Sequence, residues 1–193
     1  MSVQPKTRYT VEEYLKLEES TREKHEFFQG EVFAMSGANE AHDLIVLNVG
    51  AELRQKLRGK PCRVYPSDLR VKVDPSGLYT YPDVVVVCGQ PRFEQPGETL
   101  LNPTLLVEAL SDSSEAYDRG RTSEQYRTMA SLTDYLLIAQ DRVLVEHYSR
   151  EPEDRWLLHA ANRMQDSIAI DSLGCTLPLA EVYFNVPETG AVG

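Results

Sequence analysis

Two segments, Thr80-Tyr-Pro-Asp-Val-Val-Val-Val-Cys88 and Thr104-Leu-Leu-Val-Glu-Ala-Leu-Ser111, decide how this chain folds. Each is an apolar run of strand length carrying one acid, Asp83 in the first and Glu108 in the second. Val84 to Val87 shows no polar alternation, which suits a central strand covered on both faces. A lone carboxylate in such a run is costly to bury unless it is paired, hydrogen-bonded or bound to a metal. Two such strands in succession predict neighbours that aim their carboxylates at one point. The plainer alternative is that both acids sit at strand ends and accept backbone hydrogen bonds.

Upstream, Cys62 to Tyr65 and Leu69 to Val73 read as strands, and Asp74-Pro-Ser-Gly77 as a turn leading into Tyr79 to Cys88. A three-stranded meander is expected, its last strand bearing Asp83. Nearer the N-terminus, Thr10-Val-Glu-Glu13 is a capping box for a short helix through Tyr14, Leu15 and Leu17. His25 to Met35 reads as a hairpin turning at Gln29-Gly30, with Glu26 an acid at its start. Ile45, Val46, Val49, Leu53 and Leu57 recur at helical spacing between a cap at Asn39 and a stop at Gly59. His42 lies on that helix's first turn; a lone helical His is usually a packing or hydrogen-bonding residue, and lining a site is the alternative.

Downstream, Gly89 to Asn102 is a loop rich in Pro, Gly and Gln. Ser111 to Ser114 is a polar exit from the second central strand. Glu115 to Ala130 has a mostly polar helical pattern with Tyr117, Tyr126 and Met129 as its apolar members. Asp134 to Ala139 is another buried strand. Val143 to Tyr148, Arg155 to Ala161 and Ser167 to Ile170 extend it as antiparallel strands, before a short helix or turn at Leu177 to Val182 and a frayed tail at 187–193. The class is α+β: one domain spanning 1–193, its core about 8–184, with a mixed central sheet flanked by helices. An N-terminal helix and hairpin and extra antiparallel C-terminal strands complete it.

The net charge of −10 counts against a generic nucleic-acid coat protein, which is usually basic. The charge is uneven, however. Seven of the twenty basic residues (Arg54, Lys56, Arg58, Lys60, Arg63, Arg70 and Lys72) fall in one stretch with Asp68 the only acid among them. Such a cluster either tracks phosphates or forms a solvated face. No apolar run approaches the ~20 residues of a membrane span, and Met1-Ser-Val-Gln-Pro-Lys6 has no signal-peptide core. Cys62, Cys88 and Cys175 are odd in number and widely spaced, and Cys88 ends an apolar strand, so a reduced buried thiol and a cytoplasmic protein are expected.

If Asp83, Glu108 and Glu26 converge, two carboxylates at ~4 Å repel by about 4 kcal/mol at an effective dielectric near 20. Either one protonates, giving an acid/base pair, or a divalent cation enters. Hard oxygen donors suit Mg2+ or Mn2+, which keep waters and recruit substrate phosphates. Zinc-type His/Cys spacing, a Gly-rich phosphate loop and a G-x-S-x-G elbow are all absent from the sequence.

Pro82-Asp83 followed by Glu108 on an apolar strand resembles the PD-(D/E)xK restriction-endonuclease-like superfamily. More closely, the chain resembles a compact bacterial family of restriction endonucleases abundant in cyanobacteria. The segments that carry this are Tyr9-Thr-Val-Glu-Glu-Tyr14, His25-Glu-Phe-Phe-Gln-Gly-Glu31, Met35-Ser-Gly37 with His42, and Tyr81-Pro-Asp83. Val107-Glu-Ala-Leu-Ser111, Asp118-Arg-Gly120 with Tyr126, and Asp134-Tyr-Leu-Leu-Ile138 continue the series. The resemblance spans about Arg8 to Phe184. It implies a restriction-endonuclease-like core and a metal-dependent phosphodiesterase acting on DNA. Asp83, Glu108 and the carbonyl of Ala109 would hold Mg2+ or Mn2+, and Glu26 would bind metal or orient water. It also implies a homodimer, because duplex cleavage needs two sites.

Two departures stand against full activity. The superfamily commonly places a lysine two residues beyond the second acid, where this chain has Leu110. The closer family carries it on the next helix, in an Asp-x-x-x-Lys-x-x-x-Tyr pattern; Asp118 and Tyr126 match, but the lysine position is Thr122. Arg121 beside it supplies charge but cannot act as a base, because guanidinium stays protonated in proteins. Lys72, on the strand before Asp83, is the other candidate. Two functions therefore follow as expectations: an endonuclease, or an impaired relative that binds nucleic acid or a protein partner through the same cleft.

Overall fold

The chain crosses from one sheet to another at Tyr81-Pro82-Asp83. The computed structural model describes residues 8–35, 37–95, 97–110 and 118–187. In it, the run from Leu78 to Cys88 is two strands, β5 (Leu78–Thr80) and β6 (Val84–Cys88). The single strand expected over Tyr79 to Cys88 is thus broken just before Asp83. Pro82 has no N–H to give a ladder, and its ring restricts the residue before it, so pairing lapses there.

The segment from Arg8 to Ala34 runs as expected. Helix α1 (Val11–Ser20) carries the Thr10/Glu13 capping box, and β1 (His25–Phe28) turns into β2 (Glu31–Ala34) through Gln29 and Gly30, both at positive φ. Helix α2 (Glu40–Lys56) is capped by Asn39 and buries Ile45, Val49 and Leu53. Strands β3 (Cys62–Pro66) and β4 (Arg70–Val73) precede β5, and β7 (Thr99–Leu100) and β8 (Leu105–Leu110) follow β6. A π-helical turn, Asp118–Thr122, runs into α3 (Ser123–Arg127). The expected polar exit at Ser111 to Ser114, the start of that helix through Tyr117, and the tail after 187 lie outside the described residues.

Strands β9 (Asp134–Ala139), β10 (Val145–Glu151) and β11 (Arg155–Ala161) continue the chain. A six-stranded mixed sheet has the order β11-β10-β9-β8-β6-β3, with β8 and β9 parallel and the other neighbours antiparallel. A five-stranded sheet has the order β2-β1-β5-β4-β7. The expected meander is therefore split: β4 pairs with β5 in one sheet, β3 with β6 in the other. Ser167–Ile170 does not extend the central sheet. As β12 it pairs with an unanticipated β13 (Cys175–Pro178), ahead of the short helix α4 (Leu179–Val182).

Side-chain alternation sorts the six-stranded sheet into two faces. Val84, Val86, Leu105, Val107 and Leu136 pack with Ile45, Val49 and Leu53 of α2 and with the β12–β13 unit. Val85, Val87, Leu106, Tyr135 and Leu137 pack with Val71, Val73 and Leu100 of the second sheet and with Tyr126. Glu108 falls on this second face by parity, between Leu106 and Leu110. Asp83 has the parity of Val85.

Cys62 and Cys88 stand opposite each other in the β3–β6 register and form a disulfide. The expected reduced Cys88 is corrected: directly opposed cysteines on adjacent antiparallel strands come within bonding reach, whatever their spacing in sequence. Cys175 is the free thiol. The expectation of a cytoplasmic protein rested on reduced thiols and loses that support. Among the described residues, no helix is long and apolar enough to cross a membrane.

Candidate active site

β6 and β8 are adjacent and antiparallel, Val84 opposite Val107, and this register brings the two acids together. Asp83 Oδ2 accepts the backbone N–H of Ala109 at 2.8 Å, and Asp83 Oδ1 lies 3.1 Å from His42 Nε2. The alternative, in which each acid merely takes backbone bonds at a strand end, describes half of Asp83. Its other oxygen faces a side chain. A residue's N–H and C=O lie on the same side of a strand, so the Ala109 carbonyl is on the Asp83 side as well.

Glu108 keeps slight solvent contact but is surrounded by protein. Burial, and then the charges of Asp83, Asp118 and Glu26, push its carboxyl well above the usual carboxylate range. Its Oε1 accepts the Tyr126 hydroxyl at 2.8 Å. Tyr126 is fully buried, and its oxygen lies 3.4 Å from Thr80 Oγ1. The Thr80 hydroxyl in turn donates to Glu26 Oε1 on β1, whose pKa burial also raises. Glu26–Thr80 and Glu108–Tyr126 are thereby two hydrogen-bonded pairs, one anchored on each sheet, that meet with their hydroxyl oxygens 3.4 Å apart. Thr80 was not anticipated. The signal available was its place three residues before Asp83, at the last strand position before the chain changes sheets.

His42 comes to the site, at the start of α2. Its hydrogen bond to Asp83 raises its pKa against the opposing effect of burial. Asp118 opens the π-helical turn, near enough for its charge to act on Glu108. Thr122, at the position where the family pattern has a lysine, is 3% exposed. Its hydroxyl has no hydrogen-bond partner among the described residues, and neither do those of Ser123 and Tyr135. Arg121 is exposed, its guanidinium 4.7 Å over the Phe28 ring, two residues along β1 from Glu26.

Lys72 is not brought to the acids. It stands opposite Tyr79 in the β4–β5 register, while Val71 stands opposite Thr80. Alternation therefore sends Lys72 to the face away from Thr80. There its ammonium bonds Glu94 at 2.5 Å and lies 3.4 Å from Asp74. Although burial opposes its charge, Glu94 and Tyr79 hold its pKa above the ordinary lysine value, the wrong direction for a base. The wider basic cluster is dispersed too. Arg70 is buried against Thr99 and Tyr81, Lys60 donates to the carbonyls of Leu173 and Gly174, and Lys56 pairs with Glu52.

Among the described residues, no three His, Cys, Asp or Glu side chains stand close enough to hold a metal unaided. The donor set nonetheless fits a small hard cation. Mg2+ is ordinarily held by one or two carboxylates with waters and substrate phosphates, and Asp83, Glu108 and the Ala109 carbonyl supply oxygen alone. Glu108, buried among like charges, is the group a cation would relieve.

The chain is similar to known proteins in sequence and in fold. The profile of the Uma2 family, described as "Putative restriction endonuclease", matches residues 11–180. Two proteins of Synechocystis sp., slr1290 and sll1609, neither with an assigned role, are 34% identical over 93% of this chain and 36% identical over 77% of it. The matches cover 93% and 85% of those proteins. The crystal structure of "a putative nuclease belonging to DUF820" from Anabaena variabilis superposes with a TM-score of 0.71 at 18% identity, covering 91% of this chain and 97% of that one. At that identity the likeness is one of fold.

Proposed function

The chain belongs to the Uma2 restriction-endonuclease family, and on that footing we propose that it hydrolyses DNA phosphodiester bonds as a divalent-metal-dependent endonuclease. The observation that carries the reading is the meeting of Asp83 with the Glu108–Ala109 segment, through the 2.8 Å bond from Ala109 N–H. Asp83, Glu108 and the Ala109 carbonyl are the groups that would hold Mg2+ or Mn2+. When bound, such an ion would supply Lewis acidity, making a water more acidic and stabilising the leaving oxyanion.

The protein's own part is positioning and charge. The Ala109 N–H and His42 fix the two oxygens of Asp83, so its carboxylate is oriented before substrate arrives. Tyr126 fixes Glu108, and Thr80 fixes Glu26 beside that pair. The unpartnered Thr122 hydroxyl can donate to a phosphate oxygen, or donate to and accept from water, but at neutral pH it cannot take a proton as a lysine amine can. Arg121, at the rim, offers a bidentate donor to a phosphate.

A second reading, of a protein that binds without cutting, is favoured by two observations: Thr122 stands at the lysine position, and Lys72 lies on the other face. General acid–base groups contribute ~10²–10⁴-fold, so absence of the lysine leaves either slow turnover or none. Plasmid nicking with Mg2+ or Mn2+ by the wild type, Asp83→Ala and Thr122→Lys separates these. Nicking by the wild type that is lost in Asp83→Ala supports the endonuclease. Nicking that survives Asp83→Ala refutes the site. Metal-dependent DNA binding without nicking, together with gain of cleavage in Thr122→Lys, supports the second reading.

A further inference from the structure

Strand β11 is the outer edge of the six-stranded sheet, paired with β10 on one side and with no described strand on the other. An edge strand is a row of open backbone donors and acceptors, and folds ordinarily blunt it with charge, proline, a bulge or a covering element. The opposite edge, β3, follows that rule with exposed Arg63 and Pro66. β11 does not. From Trp156 to Ala161 it reads Trp-Leu-Leu-His-Ala-Ala, without a formal charge or a proline. Leu157 and Leu158, on opposite faces of the strand, are 56% and 48% exposed. Both faces of one edge are therefore apolar at its midpoint.

We propose that β11 is a homodimerisation edge, where two copies of this chain pair antiparallel about a two-fold axis at Leu158 and join their six-stranded sheets into one. The strand's own pattern selects a second copy as the occupant. Leu158 is the central residue of Arg155–Ala161. Pairing centred there sets Leu158 against Leu158, Leu157 against His159, Trp156 against Ala160 and Arg155 against Ala161. The largest side chain meets one of the smallest, and no like charges oppose. Just beyond the strand ends, Glu153 and Arg163, both exposed, fall at equal distances on either side of the axis. Opposite charges are thus brought toward each other at both ends. An unrelated extended peptide would use the same backbone groups but gains none of this matching.

The test is sedimentation velocity of the full chain across a wide concentration range, with Leu158→Lys and, as control, Leu47→Lys on the exposed face of α2, where Leu47 is 65% exposed. The expected result is a species of twice 21.8 kDa. Leu158→Lys weakens it on the order of tenfold or more, because two like charges then stand directly opposite. Leu47→Lys leaves it unchanged. Circular dichroism checks that each variant folds. Should Leu158→Lys fail to fold, Leu158→Cys decides: residues facing each other on the axis cross-link under mild oxidation, whereas Leu157→Cys, facing His159, does so less. A monomer at every concentration overturns the proposal. So does a dimer indifferent to Leu158→Lys or one that does not cross-link through position 158. None of these readouts uses nuclease activity, so the dimer and the catalytic reading stand or fall separately.

Discussion

The Tyr126 hydroxyl donates to Glu108 Oε1 at 2.8 Å, tying the short helix after the π-helical turn to the central strand β8. Removing that donor leaves a buried carboxyl short of a partner. Tyr126→Phe is expected to cost about 1–3 kcal/mol, a fall in Tm of roughly 2–12 °C for a chain of this size. Thermal unfolding followed by circular dichroism measures it. An unchanged Tm would mean that the bond contributes nothing to the fold.

Glu108 gives the protein a pH dependence of definite sign. Its folded-state pKa is raised well above the ordinary 4.5, first by burial and then by the charges of Asp83, Asp118 and Glu26. A raised acid contributes most below the unfolded value, and that contribution is lost as pH rises through the folded value. In metal-free buffer, the stability of the wild type should therefore decline relative to Glu108→Gln as pH rises from about 4.5 toward neutrality. Parallel Tm profiles for the two proteins would show that Glu108 is not held in this way.

The Cys62–Cys88 bond closes a loop across 26 residues at the sheet edge. Titration of thiols in the denatured, unreduced protein should find only that of Cys175. Cys88→Ser should cost about 2–4 kcal/mol and make the Tm indifferent to reductant. Three titratable thiols would restore the reduced state expected from sequence.

Asp134 is a buried acid away from the active site, with three side-chain partners. His147 Nε2 lies 2.7 Å from Oδ1, and the hydroxyls of Thr133 and Ser172 donate to Oδ2. The cluster joins β9 and β10 to the turn after β12. Asp134→Ala should cost about 1–3 kcal/mol, the range for leaving a buried polar partner unsatisfied. A urea midpoint within error of the wild type would contradict it.

Lys72→Met should leave any nicking activity unaltered, because Lys72 and its partner Glu94 lie on the face away from Thr80 and the acids. A large loss of activity, with the Tm preserved, would return Lys72 to the site.

What the sequence determined by itself was local, or depended on period. The capping box at Thr10, the turn at Gln29-Gly30 and helix α2 up to Lys56 follow from spacing and backbone preference within a few residues. The parity of Asp83 and Glu108 within apolar runs was likewise readable, because strand alternation is strict. Tertiary structure decided everything that depends on which strand meets which. It sent β5 and β6 to different sheets at Pro82, paired Cys62 with Cys88, turned Lys72 away and brought His42 to Asp83. These outcomes rest on contacts between residues far apart in the chain, whose register is set by packing on both faces at once. No local pattern carries that information, and so the acids, with His42 and Tyr126, could be named by reading the chain, while which of them meet, and the part of Thr80, could not.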